Sequence, residues 1–182
     1  MKLLLSLLGL TLLSPAWANK VVGITDGDTL TIQVGKSPVV VRVADIDAPE
    51  KNQAFSEQAK QSLSSLCFGK QAQYQERDVD AYGRVVATVT CGGVDISRVQ
   101  VERGLAWVYT EYNKDLSLPG LEAIARRDKR GLWSHPNAVP PWEFRRQPRL
   151  KKAVAKQSVE GICFVGRHGE YRIVDGAKRY GC

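Results

Sequence analysis

Histidine is scarce in this chain, with two in 182 residues, and the four cysteines contain no Cys-x-x-Cys spacing. A zinc site is therefore poorly supplied, because zinc draws on those two side chains at short, regular spacings. No apolar run reaches the roughly 20 residues that a membrane-crossing helix needs, so no membrane span is expected. Apolar residues make up 43% of the chain and charged residues 25%, a balance that excludes a wholly disordered protein. Acidic residues are the minority charge, 19 against 26 basic, which leaves a formal net charge of +7. That excess favours a polyanionic partner without identifying one.

The first eighteen residues read as separate from the fold. Lys2 gives a positive start, residues 3–13 are apolar except for Ser6, Gly9 and Thr11, and Ala16-Trp17-Ala18 has the small-x-small ending of a signal peptidase site. Pro15 and the polar change at Asn19 argue against a buried first helix. The expectation is a signal peptide over 1–18 and a mature chain from Asn19, exported to the periplasm or the medium. In an oxidising compartment Cys67, Cys91, Cys163 and Cys182 can pair. Of the three pairings possible, chain order favours Cys67–Cys91 and Cys163–Cys182, since each pair lies within one structural segment.

Period-two alternation predicts strands near 21–25, 30–34, 39–46, 71–77 and 84–91, turned at Asp26-Gly27, at 35–38 and at Gly92-Gly93. Helices are expected over 56–66, with Ser56 as cap and Ala59, Leu63, Leu66 and Cys67 on one face, over 96–103, capped by Asp95 or Ser97, and over 119–130. Five short strands with helices between and after them indicate an α+β fold, a five-stranded OB-type β-barrel with three helices, over residues 19–146. Residues 147–158 read as a basic linker. Residues 159–182 read as a small disulfide-stapled hairpin with 171–174 as one strand. Between 126 and 152 nine basic residues stand against Asp128 and Glu143. Two readings stay open there: a solvated helix face running into a soluble linker, or an arm that tracks phosphates.

The chemistry concentrates in Asp26-Gly27-Asp28-Thr29, Arg42 and Asp45-Ile46-Asp47-Ala48-Pro49-Glu50. Asp28 at a strand start and Asp47 at the end of the third strand can converge. Two carboxylates so placed repel each other unless they share a cation, and an all-oxygen donor set suits Ca²⁺ or Mg²⁺.

These segments, with Leu30-Thr31-Ile32, Asp80-Ala81-Tyr82-Gly83-Arg84 and Gly131-Leu132-Trp133, resemble the thermonuclease (micrococcal or staphylococcal nuclease) family over about residues 20–134. The resemblance implies that Asp28, Asp47 and the Ala48 carbonyl bind one Ca²⁺, with Asp26 just outside the ligand set. Glu50 would act as general base on a water, Arg42 and Arg84 would contact the phosphate under attack, and Tyr82 would lie near a bound nucleotide. DNA and RNA are the implied substrates, cleaved at the 5′ P–O bond to leave 3′-phosphates; separately from the resemblance, a monomer is expected. Hydrolysis of a diester builds negative charge on phosphorus oxygens, which guanidinium forks and a divalent ion can neutralise. Ala81 replaces a basic residue common in the family, and the segment after Glu50 is short. The alternative is a nucleic-acid-binding OB module without catalysis, which would be favoured by loss of Arg42, Glu50 or Arg84; all three are present.

Overall fold

The β-branched runs of this chain form strands where they alternate with polar residues, and a computed structural model shows how those strands join. It describes residues 19–146 and the strand segments 163–166, 169–174 and 177–180. In chain order the elements are β1 (Lys20–Ile24), β2 (Thr29–Val34), β3 (Ser37–Val43), β4 (Ile46–Asp47), α1 (Ser56–Cys67), β5 (Ala72–Val79), β6 (Val85–Cys91), β7 (Val94–Asp95), α2 (Ile96–Glu102), β8 (Trp107–Val108), α3 (Leu118–Arg127) and a 3₁₀ turn (Gly131–Ser134). A division after Pro136 separates a second compact unit, which holds α4 (Pro141–Arg146), β9 (Cys163–Gly166), β10 (Gly169–Val174) and β11 (Ala177–Tyr180).

The first unit is α+β, with a six-stranded sheet in the order β1-β2-β3-β6-β5 and β7 added beside β6. The pairings are antiparallel except β3 with β6, where Val41, Arg42 and Val43 lie opposite Val85, Val86 and Ala87. The outer strands β1 and β5 are linked at one end: Lys20 bridges Gln71, and the Ala72 N–H donates to the Asn19 carbonyl at 2.9 Å. A separate two-stranded pair, β4 with β8, sets Asp47 opposite Trp107. Val41 and Val43 of β3 are buried with Leu30 and Ile32 of β2, while Arg42 between them faces away from that core. Helices α1 and α2 contribute Leu63, Ile96 and Val101, all fully buried, each worth about 1.5–3 kcal/mol of transfer free energy.

Several details depart from the sequence reading. The third strand stops at Val43 because Asp45 takes a left-handed conformation, φ +69°, and the chain resumes as β4. Ser56 does not cap α1: Phe55 at φ +67° precedes the helix, and its carbonyl accepts the Ala59 N–H at 2.9 Å. Asp95 does cap α2, accepting from the Arg98 N–H at 3.1 Å. Helix α3 ends at Arg127, with Lys129 at φ +53° breaking it before the expected 130.

The Cys67–Cys91 disulfide forms as expected, joining the end of α1 to the end of β6. Cys182 of the expected Cys163–Cys182 pair lies outside the described residues, as do the leader 1–18 and the linker 147–158. In the second unit the hairpin expectation is corrected to three antiparallel strands, with β10 pairing β9 and β11 on its two sides. The Cys163-Phe164-Val165 run supplies the extra strand, which covers an edge that a two-stranded hairpin would leave open.

Candidate active site

The turn between β1 and β2 carries Asp26, Gly27 and Asp28. The Thr25 N–H donates to the Thr29 carbonyl at 2.9 Å to close it. Inside, the Asp28 N–H donates to Asp26 Oδ1 at 3.1 Å, an Asx-type turn that such residues favour. Asp28 itself is buried. Its Oδ1 accepts from Thr29 Oγ1 at 2.9 Å and its Oδ2 accepts from the Ala48 N–H at 2.6 Å, twenty residues away.

Arg42 completes the junction. From the face of β3 that points away from the core, its Nη1 lies 3.1 Å from Asp28 Oδ2 and its Nη2 lies 2.8 Å from Asp47 Oδ1. Nη1 also donates to the Val43 and Ile46 carbonyls at 3.2 and 3.1 Å. Two carboxylates buried this deeply would repel one another without a shared positive charge; the guanidinium supplies one. Asp26, beside them, has its carboxyl pushed up to about 6, first by burial and then by the charge of Asp28.

Asp28 and Asp47 thus converge on the Arg42 guanidinium, and Ala48 joins them through its N–H to Asp28. The two carboxylates offer oxygen donors, the chemistry that suits Ca²⁺. No group of three or more His, Cys, Asp or Glu side chains arranged to hold a metal occurs among the described residues, so such an ion would complete its coordination with water or phosphate oxygens. Glu50 follows directly, at the start of the turn that leads into α1. Its N–H donates to Gln53 Oε1 at 2.8 Å, and the Gln53 N–H donates back to the Glu50 carbonyl at 2.8 Å. That reciprocal pair orders the short segment after Glu50.

Arg84 stands at the entry of β6, two residues before the Val86 that pairs with Arg42. It therefore lies close in sequence to the stretch of β6 that runs beside Arg42. Asp80 holds Arg84 twice, accepting from Nε at 2.7 Å and from its N–H at 3.0 Å. Both terminal amino groups of Arg84 are left without a protein partner among the described residues. Burial alone would raise the Asp80 carboxyl, but hydrogen bonds from the Arg84 N–H and guanidinium and from the Tyr82 N–H outweigh it and hold the group below its ordinary value. Tyr82 is 86% exposed and its ring lies 5.4 Å from the Arg84 guanidinium carbon.

Four residues escaped the sequence reading as site components. Asp80 sits inside a motif that was legible, and its spacing four before Arg84 was the available signal. Asp45 and Arg77 form a 2.7 Å ion pair in which the Asp45 side chain is fully buried; Asp45 Oδ1 also accepts the Lys114 N–H at 2.8 Å, which ties in the 109–115 segment. Gln100 reaches Gly27 from α2 at 2.6 Å. Of the basic run, Arg126 stacks 3.7 Å over the Trp133 ring while Arg127 and Arg130 pair with Asp128, which fits a solvated helix face for that part. Trp107 is buried and meets Trp133 edge to face at 5.2 Å, a packing role.

Fold and site together define a small α+β protein in which an arginine on the six-stranded sheet bridges a buried carboxylate pair, with a second, partly free arginine at the entry of the neighbouring strand. The family model described as staphylococcal nuclease homologue matches residues 40–135. A micrococcal nuclease of Shigella flexneri is 43% identical over 146 residues, 72% of this chain and 84% of that protein. Protein ParB of Escherichia coli is 41% identical over 157 residues, 79% of this chain and 89% of that one. An uncharacterized endonuclease of Escherichia coli is 39% identical over 127 residues, 69% and 83% of the two chains. The chain belongs to the staphylococcal nuclease family.

Proposed function

We propose that this protein is an exported, Ca²⁺-dependent nuclease that hydrolyses phosphodiester bonds in DNA and RNA as a monomer, on an OB-type barrel. The observation that carries the reading is the Arg42 bridge, 3.1 Å from Asp28 and 2.8 Å from Asp47, beside a second arginine whose fork is open. Family membership and the nuclease names of the relatives support it.

Asp28, Asp47 and the Ala48 carbonyl would hold the ion, which when bound supplies positive charge to the oxygens of a diester. Arg42 and Arg84 bind and orient that diester, and their guanidinium donors strengthen as charge builds on its equatorial oxygens. Asp80 holds Nε of Arg84, so the fork arrives pre-oriented and less side-chain freedom is lost on binding. Glu50 accepts a proton from a water whose oxygen forms the new bond to phosphorus while the bond to the 5′ oxygen breaks. The products are a 3′-phosphate and a 5′-hydroxyl, the leaving oxygen taking a proton from solvent. Tyr82, exposed beside Arg84, lies where it can touch the nucleotide.

Plasmid DNA incubated with the protein and Ca²⁺ should be nicked and degraded, and chelation should stop it. Full activity under chelation, or none with Ca²⁺ supplied, contradicts the reading; tight single-strand binding without cleavage would favour the non-catalytic module. Export is checked by N-terminal sequencing of protein recovered from periplasm and medium, which should begin at Asn19.

A further inference from the structure

We propose that Gln100 is a positioning residue for the Asp26–Asp28 turn, locking the backbone from below so that Asp28 is presented to the cation; this rests on the reading of Asp28 as a Ca²⁺ ligand. Gln100 projects from α2 and is fully buried. Its Nε2 donates to the Gly27 carbonyl at 2.6 Å and to the Ala59 carbonyl of α1 at 3.0 Å. Two acceptors on one nitrogen fix the carboxamide's orientation, because a flip would set Oε1 against both carbonyls. The clamp joins two segments 73 and 41 residues away in sequence.

The turn has no room to move within this clamp. A Cβ at Gly27 would lie 2.6 Å from the Cβ of Ala59 and 2.8 Å from that of Ala48, so Gly27 is wedged between α1 and the segment that bears Asp47, Ala48 and Glu50. On the other side of the wedge the Ala48 N–H donates to Asp28 Oδ2 at 2.6 Å. Gln100 therefore ties α2 to Gly27 and to Ala59 of α1, and the same turn is tied through Asp28 to Ala48. The Gln100 Oε1 is buried without a protein partner among the described residues, a cost that apolar core packing would not carry. An unpaired buried oxygen is unfavourable and persists where the other end of the group is needed.

Side chains that orient metal ligands without touching the metal change affinity by about 10- to 100-fold when altered. Gln100→Met keeps length and burial and removes both donors. Isothermal titration of Ca²⁺ should show affinity at least tenfold weaker than wild type, and the Asp28 amide should exchange with solvent faster. Val101→Ala, a buried neighbour on the same helix, should lower thermal stability and leave Ca²⁺ affinity unchanged. In the wild-type protein, nuclear magnetic resonance should find the Gln100 carboxamide protons slow to exchange and shifted by added Ca²⁺, a readout that needs no variant. Equal Ca²⁺ affinity in wild type and Gln100→Met, or carboxamide protons that exchange freely and ignore Ca²⁺, overturns the role of Gln100 alone. A wild-type protein without Ca²⁺ affinity overturns the metal reading and this role together.

Discussion

Asp80 determines what Arg84 can offer a substrate. With Nε and the backbone N–H of Arg84 both taken by one carboxylate, the two outer amino groups are left without a protein partner among the described residues. Arg84→Ala should fold normally and lose about 100- to 1,000-fold in turnover, the cost of one electrostatic donor at a developing charge. Glu50→Gln should lose about 100- to 10,000-fold, the usual share of a general base; kinetics at saturating substrate and Ca²⁺ measure both. The Asp80 carboxyl titrates below its ordinary value, so the turn's extra stability is present above the unfolded-state value near 4 and is lost as pH falls through the folded one. Acid should therefore raise KM in wild type, while Asp80→Asn should show the raised KM already at neutral pH. Asp26 has the opposite sign. Its folded value of about 6 lies above the ordinary 3.8, so the contribution of Asp26 to stability without metal is fully present below 3.8 and is lost as pH rises through 6. Asp26→Asn, which keeps an oxygen acceptor for the Asp28 N–H, should flatten that decline in melting experiments run with chelator.

At the scale of elements, the site is an intersection of the β1–β2 turn, the end of β3, β4, and the entry of β6. The Asp45–Arg77 pair braces this intersection by tying the β3–β4 bend to β5. Arg77→Met should cost about 3–5 kcal/mol in denaturant unfolding, because it strands a fully buried carboxylate. The Cys67–Cys91 bridge spans a 24-residue separation, and replacing both cysteines by alanine should cost about 3–4 kcal/mol in the same measurement. These elements were unequally legible. The Asp-Gly-Asp turn, Arg42 with the Asp-Ala-Pro-Glu run, and the Asp80 to Arg84 signature are local patterns, so their positions and the strands around them could be read directly. Asp45 with Arg77, and Gln100 with Gly27, lie 32 and 73 residues apart, and no local period announces such contacts. The end of the third strand was missed for a related reason, since a left-handed aspartate inside an apolar run looks like any strand residue until its partner is known.

For the whole molecule, charge is arranged in two tiers. A carboxylate-rich site is compensated internally by Arg42, and an excess of basic residues lies toward the C-terminal third. Arg127 and Arg130 are already paired with Asp128, so their replacement should change nucleic-acid affinity little. Arg149, Lys151 and Lys152 lie beyond that helix in sequence. A chain ending at Arg146 should show a flatter dependence of log affinity on log salt for single-stranded DNA, by about 0.7 for each phosphate that is no longer neutralised. The central claim is that two guanidinium groups from distant segments grip one diester. A double-mutant cycle on kcat/KM with Arg42→Ala, Arg84→Ala and the pair tests it most directly. Groups acting on the same transition state should each cost about 100-fold or more alone, and together much less than the product of the two single effects. Wild-type activity in Arg84→Ala, or single effects that multiply without coupling, would contradict a single shared phosphate.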